Sequence, residues 1–154
     1  MDSLRLSSPA FDEGGFIPVT YTGDGKNLSP PLMWTEPPAG TVSFALVCED
    51  PDAPGGIWAH WVVSNLPPDC RELLEGMIPE EPVATTGVQG KNDFGTCRYS
   101  GPEPPHGRLH HYYFRLFALN TVLPLLAGST RDQLLQSIRG HVLSEARLMG
   151  RYQR

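Results

Sequence analysis

Three stretches of the chain are apolar and dense in β-branched or aromatic residues: "TVSFALVCED" (41–50), "IWAHWVVSNL" (57–66) and "HHYYFRLFAL" (110–119). Each is bounded by proline and glycine clusters, the punctuation that brackets strands. "RLSSPAF" (5–11), "GFIPVTYT" (15–22) and "ARLMGRY" (146–152) carry weaker versions of the same pattern. Proline in the first two predicts edge positions, because proline cannot donate to a ladder. A helical period appears near 130–139, "TRDQLLQSIR". Thr130 is placed to cap it, Gln133 to complete a capping box, and Gly140 to end it, with Leu134, Leu135 and Ile138 as the apolar stripe. "DCRELLEG" (69–76) predicts one short helical turn. Many short strands with a single late helix predict a mainly β fold, an antiparallel sandwich or barrel with one to three short helices.

Strand parity sharpens the picture at the two adjacent histidines. Successive side chains on a strand point to opposite faces. His110, Tyr112, Phe114 and Leu116 therefore share one face, and His111, Tyr113, Arg115 and Phe117 the other. Neighbouring histidines on a strand cannot grip one small ligand together. The same parity groups His60 with Trp58 and Val62, and Asp50 with Phe44, Leu46 and Cys48.

Composition narrows the class. With 154 residues the chain is expected to form one domain, residues 1–154, large enough to bury a core without disulfides. The net charge of -5, with no long run of like charges, argues against nucleic acid or an anionic membrane as bulk partner. Cys48, Cys70 and Cys97 are an odd number without a CxxC spacing, which predicts reduced thiols. No segment has the length of a membrane span, and the N-terminus has neither the basic start nor the apolar stretch of a signal peptide. A cytoplasmic protein is the expectation.

Two loops then acquire chemical interest. "EDPDAPGGIW" carries Asp50 and Asp52 and opens into the strand of His60; "RYSGPEPPHG" opens into the strand of His110 and Tyr112. Rigid loops at strand ends are where sites are built. A histidine on an apolar strand is ordinarily a hydrogen-bonded core residue, and either loop alone reads as a plain surface turn. Together, imidazole donors, a phenol and glycine-exposed backbone N–H groups suit a phosphate or another oxyanion. A carboxylate among them could orient a histidine or accept from an ammonium group.

"YTGDGKNLSPPLMW", "DPDAP", "WAHWVV", "NDFG", "GP" followed by "PP", "HHYYFRLFAL" and "HVLSEARLMGRY" stand in the order found in phosphatidylethanolamine-binding proteins. From about Leu4 to Tyr152 the chain resembles that family, most closely its short bacterial and archaeal branch. The resemblance implies two antiparallel sheets packed face to face and a small anion pocket at one end. It places the pocket at Asp50, His60, His110 and Tyr112, with Asp52 and Pro54 from the DPDAP loop and a Gly101–Pro102 turn at the rim. His111 stands where many members have arginine, Ser100 where glycine is common, and Gly23 where cysteine is frequent.

The resemblance implies non-enzymatic binding of phosphate-bearing small molecules or phospholipid headgroups, without cofactor or metal, in a homodimer. The alternative is an inhibitor of a protease or kinase acting through the pocket rim. A metal-dependent enzyme ranks third. His60, His110 and Asp50 superficially suit a two-histidine, one-carboxylate metal site, but no GxSxG, HExxH or Walker loop accompanies them. If protonated histidines supply the donors, phosphodiester binding is expected to be tighter near pH 6 than near pH 8, since free histidine titrates at about 6.5.

Overall fold

A computed structural model of the chain describes residues 4–77, 87–125 and 127–154. Its eight described strands form two antiparallel sheets. The larger is built from β3 (Ser43–Asp50), β4 (Trp58–Leu66), β6 (Val88–Gln89), β7 (Leu109–Leu119) and β8 (Val142–Gln153), in the order β6-β4-β3-β7-β8. The smaller comprises β1 (Leu6–Ser7), β2 (Leu32–Trp34) and β5 (Glu72–Leu73), in the order β1-β2-β5. The Pro9-containing segment thus supplies an edge strand, where a missing N–H costs the ladder nothing.

The main core fills the space between the sheets. Leu6, Leu32, Trp34 and Leu73 from the small sheet meet Phe44, Leu46, Cys48, Trp61, Val63, Phe114, Leu116 and Leu148 from the large one. On the opposite face of the large sheet, Ala45, Val47, Val62, Phe117 and Leu119 pack against Leu123, Leu134 and Ile138. All eight residues of β3 are buried because both its faces are covered, which is why this strand reads as an unbroken apolar run rather than an alternation.

The second cover includes α1 (Arg131–Ser137), one turn shorter than its sequence period suggested. Thr130 Oγ1 accepts from the Gln133 backbone N–H at 3.3 Å, and Gln133 Oε1 accepts from the Thr130 N–H at 2.8 Å, so the capping box forms as expected. Gly140 follows at φ 80, the left-handed turn that ends the helix run. Cys48, Cys70 and Cys97 are free thiols. Among the described residues no helix is long and apolar enough to cross a membrane.

Three expectations are corrected. "GFIPVTYT" is not a strand: Phe16 makes a single bridge to Arg151, and Val19–Tyr21 is a 3-10 turn entered through Pro18. Proline, with φ fixed near its helical value and no N–H to donate, starts such turns more readily than it continues a ladder. "DCRELLEG" is not helical; Glu72 and Leu73 pair with Met33 and Leu32. Strand parity also fails in β4. Cys48 faces Trp61 while Glu49 faces Ala59, so His60 is an extra residue without an opposite number on β3. A second irregularity lies between Phe44 and Leu46, opposite Asn65, whose φ is 58. Beyond the bulge at His60 the faces exchange: Trp61 and Val63 enter the inter-sheet core, whereas Val62 joins the other cluster and does not share a face with His60.

Candidate functional site

The bulge sets the position of the histidine. With one residue too many between the paired Ala59 and Trp61, the strand bulges, and bulges re-aim side chains. Four hydrogen bonds fix the result. Asp93 caps the irregularity from the neighbouring loop: its carboxylate accepts from the Ala59 N–H at 2.6 Å, and its own N–H donates to the Ala59 carbonyl at 2.9 Å. The Ser100 N–H donates to the His60 carbonyl at 3.1 Å. His60 Nδ1 in turn donates to the Ser100 carbonyl at 2.5 Å. Both contacts use the Ser100 main chain, which glycine would supply equally, so neither depends on this departure from the family pattern. Asn92 holds the loop that carries Asp93, its side-chain oxygen accepting from the Phe94 and Thr96 N–H groups.

From the adjoining strands come the other ionisable groups. Asp50 ends β3 and His110 opens β7, and His110 Nδ1 donates to Asp50 Oδ2 at 2.6 Å. The pair is buried, with side chains 1% and 4% exposed. The second Asp50 oxygen accepts from the Asp52 N–H at 2.8 Å, which turns the chain into the DPDAP loop. Tyr112 lies two residues along the same face of β7; its ring stacks near His110 and stands edge-on to His60 at 5.2 Å. Burial, with the charge of Asp50 behind it, pushes the Tyr112 phenol well above its ordinary value, so it remains a neutral donor. His60 is held below the ordinary histidine range by burial; its hydrogen bond to Ser100 and the charges of Asp50 and Asp93 pull the other way and lose. Its imidazole is therefore the neutral form near pH 7, which removes it as a charged donor and narrows the basis for tighter diester binding at pH 6.

These groups surround a cavity of about 290 Å³ whose floor is Asp50, His60, His110 and Tyr112. Pro54 and Ala53 form one wall, Pro104 and Pro105 another, and Trp58 and Phe94 stand at the lip, ring edge to face at 5.4 Å. Phe94 also packs edge-on to His60. The buried His110 Nε2 has no hydrogen-bond partner among the described residues. A buried ring nitrogen left unsatisfied is costly unless something enters to meet it.

Three of the residues singled out from the sequence lie outside this lining. Asp52 turns away: its Oδ2 accepts from the His111 N–H at 2.9 Å and from His111 Nδ1 at 2.7 Å. Burial pushes the Asp52 carboxyl up, but those two bonds outweigh it and hold the group below the usual carboxylate range. His111 thus points away from the cavity, as parity requires, yet ties down the loop that forms its wall. His111→Ala is expected to leave the backbone bond intact and cost about 1 kcal/mol or less, since both side chains are about one-third exposed; thermal denaturation checks this, and a larger loss would mean that the tie is structural.

Gly101 and Pro102 stand behind the wall. The Gly101 N–H donates to Asn27 Oδ1 at 2.7 Å, and the Pro102 carbonyl accepts from Gly23 at 3.0 Å. A Cβ at Gly101 would overlap the Tyr21 carbonyl, so only glycine fits between these chains.

Six lining residues, Ala53, Trp58, Phe94, Glu103, Pro104 and Pro105, were not singled out from the sequence. Trp58 and Phe94 are exposed aromatics beside loops, and Pro104 belongs to a proline pair that otherwise marks a turn. Glu103, between "GP" and "PP", lines the cavity with a carboxylate. A Cβ at residue 23 would overlap the Glu103 side chain, so Gly23 provides the room in which Glu103 lies. The two-histidine, one-carboxylate arrangement is committed inward, with both Nδ1 atoms and both Asp50 oxygens engaged by protein groups. Among the described residues no cluster of three His, Cys, Asp or Glu side chains is placed to hold a metal ion.

Two antiparallel sheets with an imidazole- and carboxylate-floored cavity at the strand ends of the larger one define the class of fold and site. Residues 7–153 match the family model described as phosphatidylethanolamine-binding protein. A UPF0098 protein of Methanothermobacter thermautotrophicus is 48% identical over 151 residues, covering 98% of this chain and 99% of that one. A UPF0098 protein of Aquifex aeolicus is 42% identical over 153 residues, with 98% and 89% covered. The crystal structure of a phosphatidylethanolamine-binding protein homologue from Chlamydia trachomatis superimposes with a TM-score of 0.91 at 38% identity, covering 100% of this chain and 99% of that one. E. coli YbcL, described as a member of the mammalian PEBP family, gives 0.92 at 32% identity, with 99% of each chain covered. The chain belongs to the phosphatidylethanolamine-binding protein family, in its bacterial and archaeal branch.

Proposed function

We propose that this chain is a non-enzymatic binding protein for a small molecule or headgroup bearing a phosphate, held on Asp50, His60, His110 and Tyr112. Pro54 shapes the wall from within; Asp52, Gly101 and Pro102 support it from behind. The observation that carries the reading is His110. Its Nδ1 donates to a buried carboxylate, and its own buried Nε2 has no partner among the described residues on a lining that it shares with Tyr112. An imidazole backed by a carboxylate donates from its free nitrogen when it carries a second proton, and with the neutral Tyr112 phenol on the same lining it suits an anionic oxygen.

Calorimetric titration of methyl phosphate at pH 6 tests the assignment. Saturable binding by the unmodified protein is expected. His110→Ala should weaken it roughly ten- to a hundred-fold, the worth of one hydrogen bond to a charged group, while His111→Ala should shift it less than threefold. No binding by the unmodified protein overturns the reading; equal losses in both variants would place the anion on the wrong side of the strand.

A second reading, regulation of a protease or kinase through the rim, draws on Ile57, Trp58 and Phe94. These side chains are 48%, 36% and 41% exposed around the mouth, and exposed apolar groups beside a cavity suit a protein partner.

A further inference from the structure

We propose that the cavity takes its phosphate with a proton still attached: the hydrogen-bearing monoanion of a phosphate monoester, in preference to a phosphodiester or sulfate. This rests on the phosphate reading above and specifies which protonation state and which ester class the site accepts.

The argument is a count of donors and acceptors. A carbonyl oxygen can only accept, so the proton of the His60 ring sits on Nδ1, facing Ser100. The ring has little freedom to exchange its nitrogens. The same Ser100 residue pairs with the His60 backbone, and Phe94 and Tyr112 stand edge-on to the imidazole at 5.4 and 5.2 Å. Nε2 of a neutral His60 is consequently a lone pair, and no described residue donates to it. Asp50 has no oxygen to spare for a ligand's proton without giving up His110 or Asp52. Glu103 adds a further acceptor on the lining. Against these stand two donors, the Tyr112 hydroxyl and His110 Nε2 when that ring is charged.

A sulfate or a phosphodiester brings only lone pairs. It satisfies His110 and Tyr112 and sets an oxygen against the His60 lone pair. A monoester monoanion brings one P–OH group, which donates to His60 Nε2 while its remaining oxygens accept from His110 and Tyr112. The groups acting on His60 work in the same direction: Asp50 on β3, Asp93 on its loop and the Ser100 and Gly101 backbone are acceptors, and His110 and Tyr112 on β7 serve the anionic oxygens. Burial of His60 favours its neutral ring, with the free lone pair on Nε2.

The experiment compares three probes on the unmodified protein by calorimetry at pH 6 and pH 8: methyl phosphate, dimethyl phosphate and sulfate. Dimethyl phosphate matches the monoester monoanion in charge, and sulfate is no larger than the phosphate group, so charge and size are controlled separately. At pH 6 methyl phosphate should bind at least about ten-fold tighter than either, the scale of one unmatched buried acceptor.

The second ionisation of a phosphate monoester lies near pH 6, so its monoanion falls from about half to about one part in a hundred by pH 8. Methyl phosphate should therefore lose about fifty-fold more affinity over that interval than dimethyl phosphate does. The diester has no proton to lose, so its own change reports the protein alone.

Smaller differences in either comparison overturn the proton selection while leaving phosphate binding in place. Failure of all three probes to bind at both pH values overturns the phosphate reading itself.

Discussion

Asp50→Ala is expected to destabilise the protein by about 3 to 5 kcal/mol, the cost of leaving two N–H donors without their carboxylate acceptor at about 1 to 3 kcal/mol each. The Asp50 carboxylate accepts from His110 Nδ1 and from the Asp52 N–H. Alanine therefore leaves an imidazole N–H without an acceptor in a region where the His110 side chain is 1% exposed. It also frees the first turn of the DPDAP loop. Asp50→Asn keeps an acceptor oxygen of the same shape and should cost distinctly less. Urea denaturation at pH 7 with an unchanged m-value measures both. A loss below about 1 kcal/mol for alanine would show that His110 finds another acceptor, and that the pair does not organise the cavity floor.

Trp61→Ala is expected to cost a similar 3 to 5 kcal/mol by cavity formation. The indole is fully buried, donates from Nε1 to Gln89 Oε1 at 2.9 Å and meets the Tyr99 ring edge-on at 5.5 Å. It is also the residue immediately after the bulge, paired across from Cys48. Its packing fixes where regular pairing resumes and hence where His60 sits. The folded fraction of the variant should therefore bind methyl phosphate more weakly, whereas Trp61→Phe, which keeps most of the ring, should retain binding at a smaller stability loss. A fully stable Trp61→Ala protein would mean that the two sheets close over the gap.

How far the sequence reached depended on how much of a strand's neighbourhood its own residues record. β3, β4 and β7 were legible because burial on one or both faces demands long apolar runs, and α1 because its caps and stripe are local. β2, β5 and β6 are two or three residues long, too short for any period to emerge from flanking prolines and polar residues. Their pairing is dictated by partners distant in the chain. β7 obeyed parity, with His110 buried and His111 half-buried, since it pairs with β8 without a break from Leu109 to Ala118.

In β4, Ala59, His60, Trp61, Val62 and Val63 are all buried, so no alternation was present to reveal that the phase slips at His60. Asp50, His60, His110 and Tyr112 could be singled out because imidazoles, a phenol and a carboxylate are uncommon within apolar runs. Glu103 and Phe94 look like ordinary loop residues, and only the fold brings them to the cavity.

The phase slip at His60 also changes what kind of variation this site can register. Exchange of one side chain for another alters the chemistry at a fixed address, and a substitution scan along β4 would rank residues by size and polarity. The address itself is set by arithmetic: between Cys48 and Glu49 on one strand there is no intervening residue, and between Trp61 and Ala59 on the other there is one. Removing a single residue there would let the ladder run straight and close over the histidine's place, whichever amino acids remained. The candidate site is in this sense spelled in the length of the strand as well as in its letters, and single-residue deletions read that spelling where substitutions cannot.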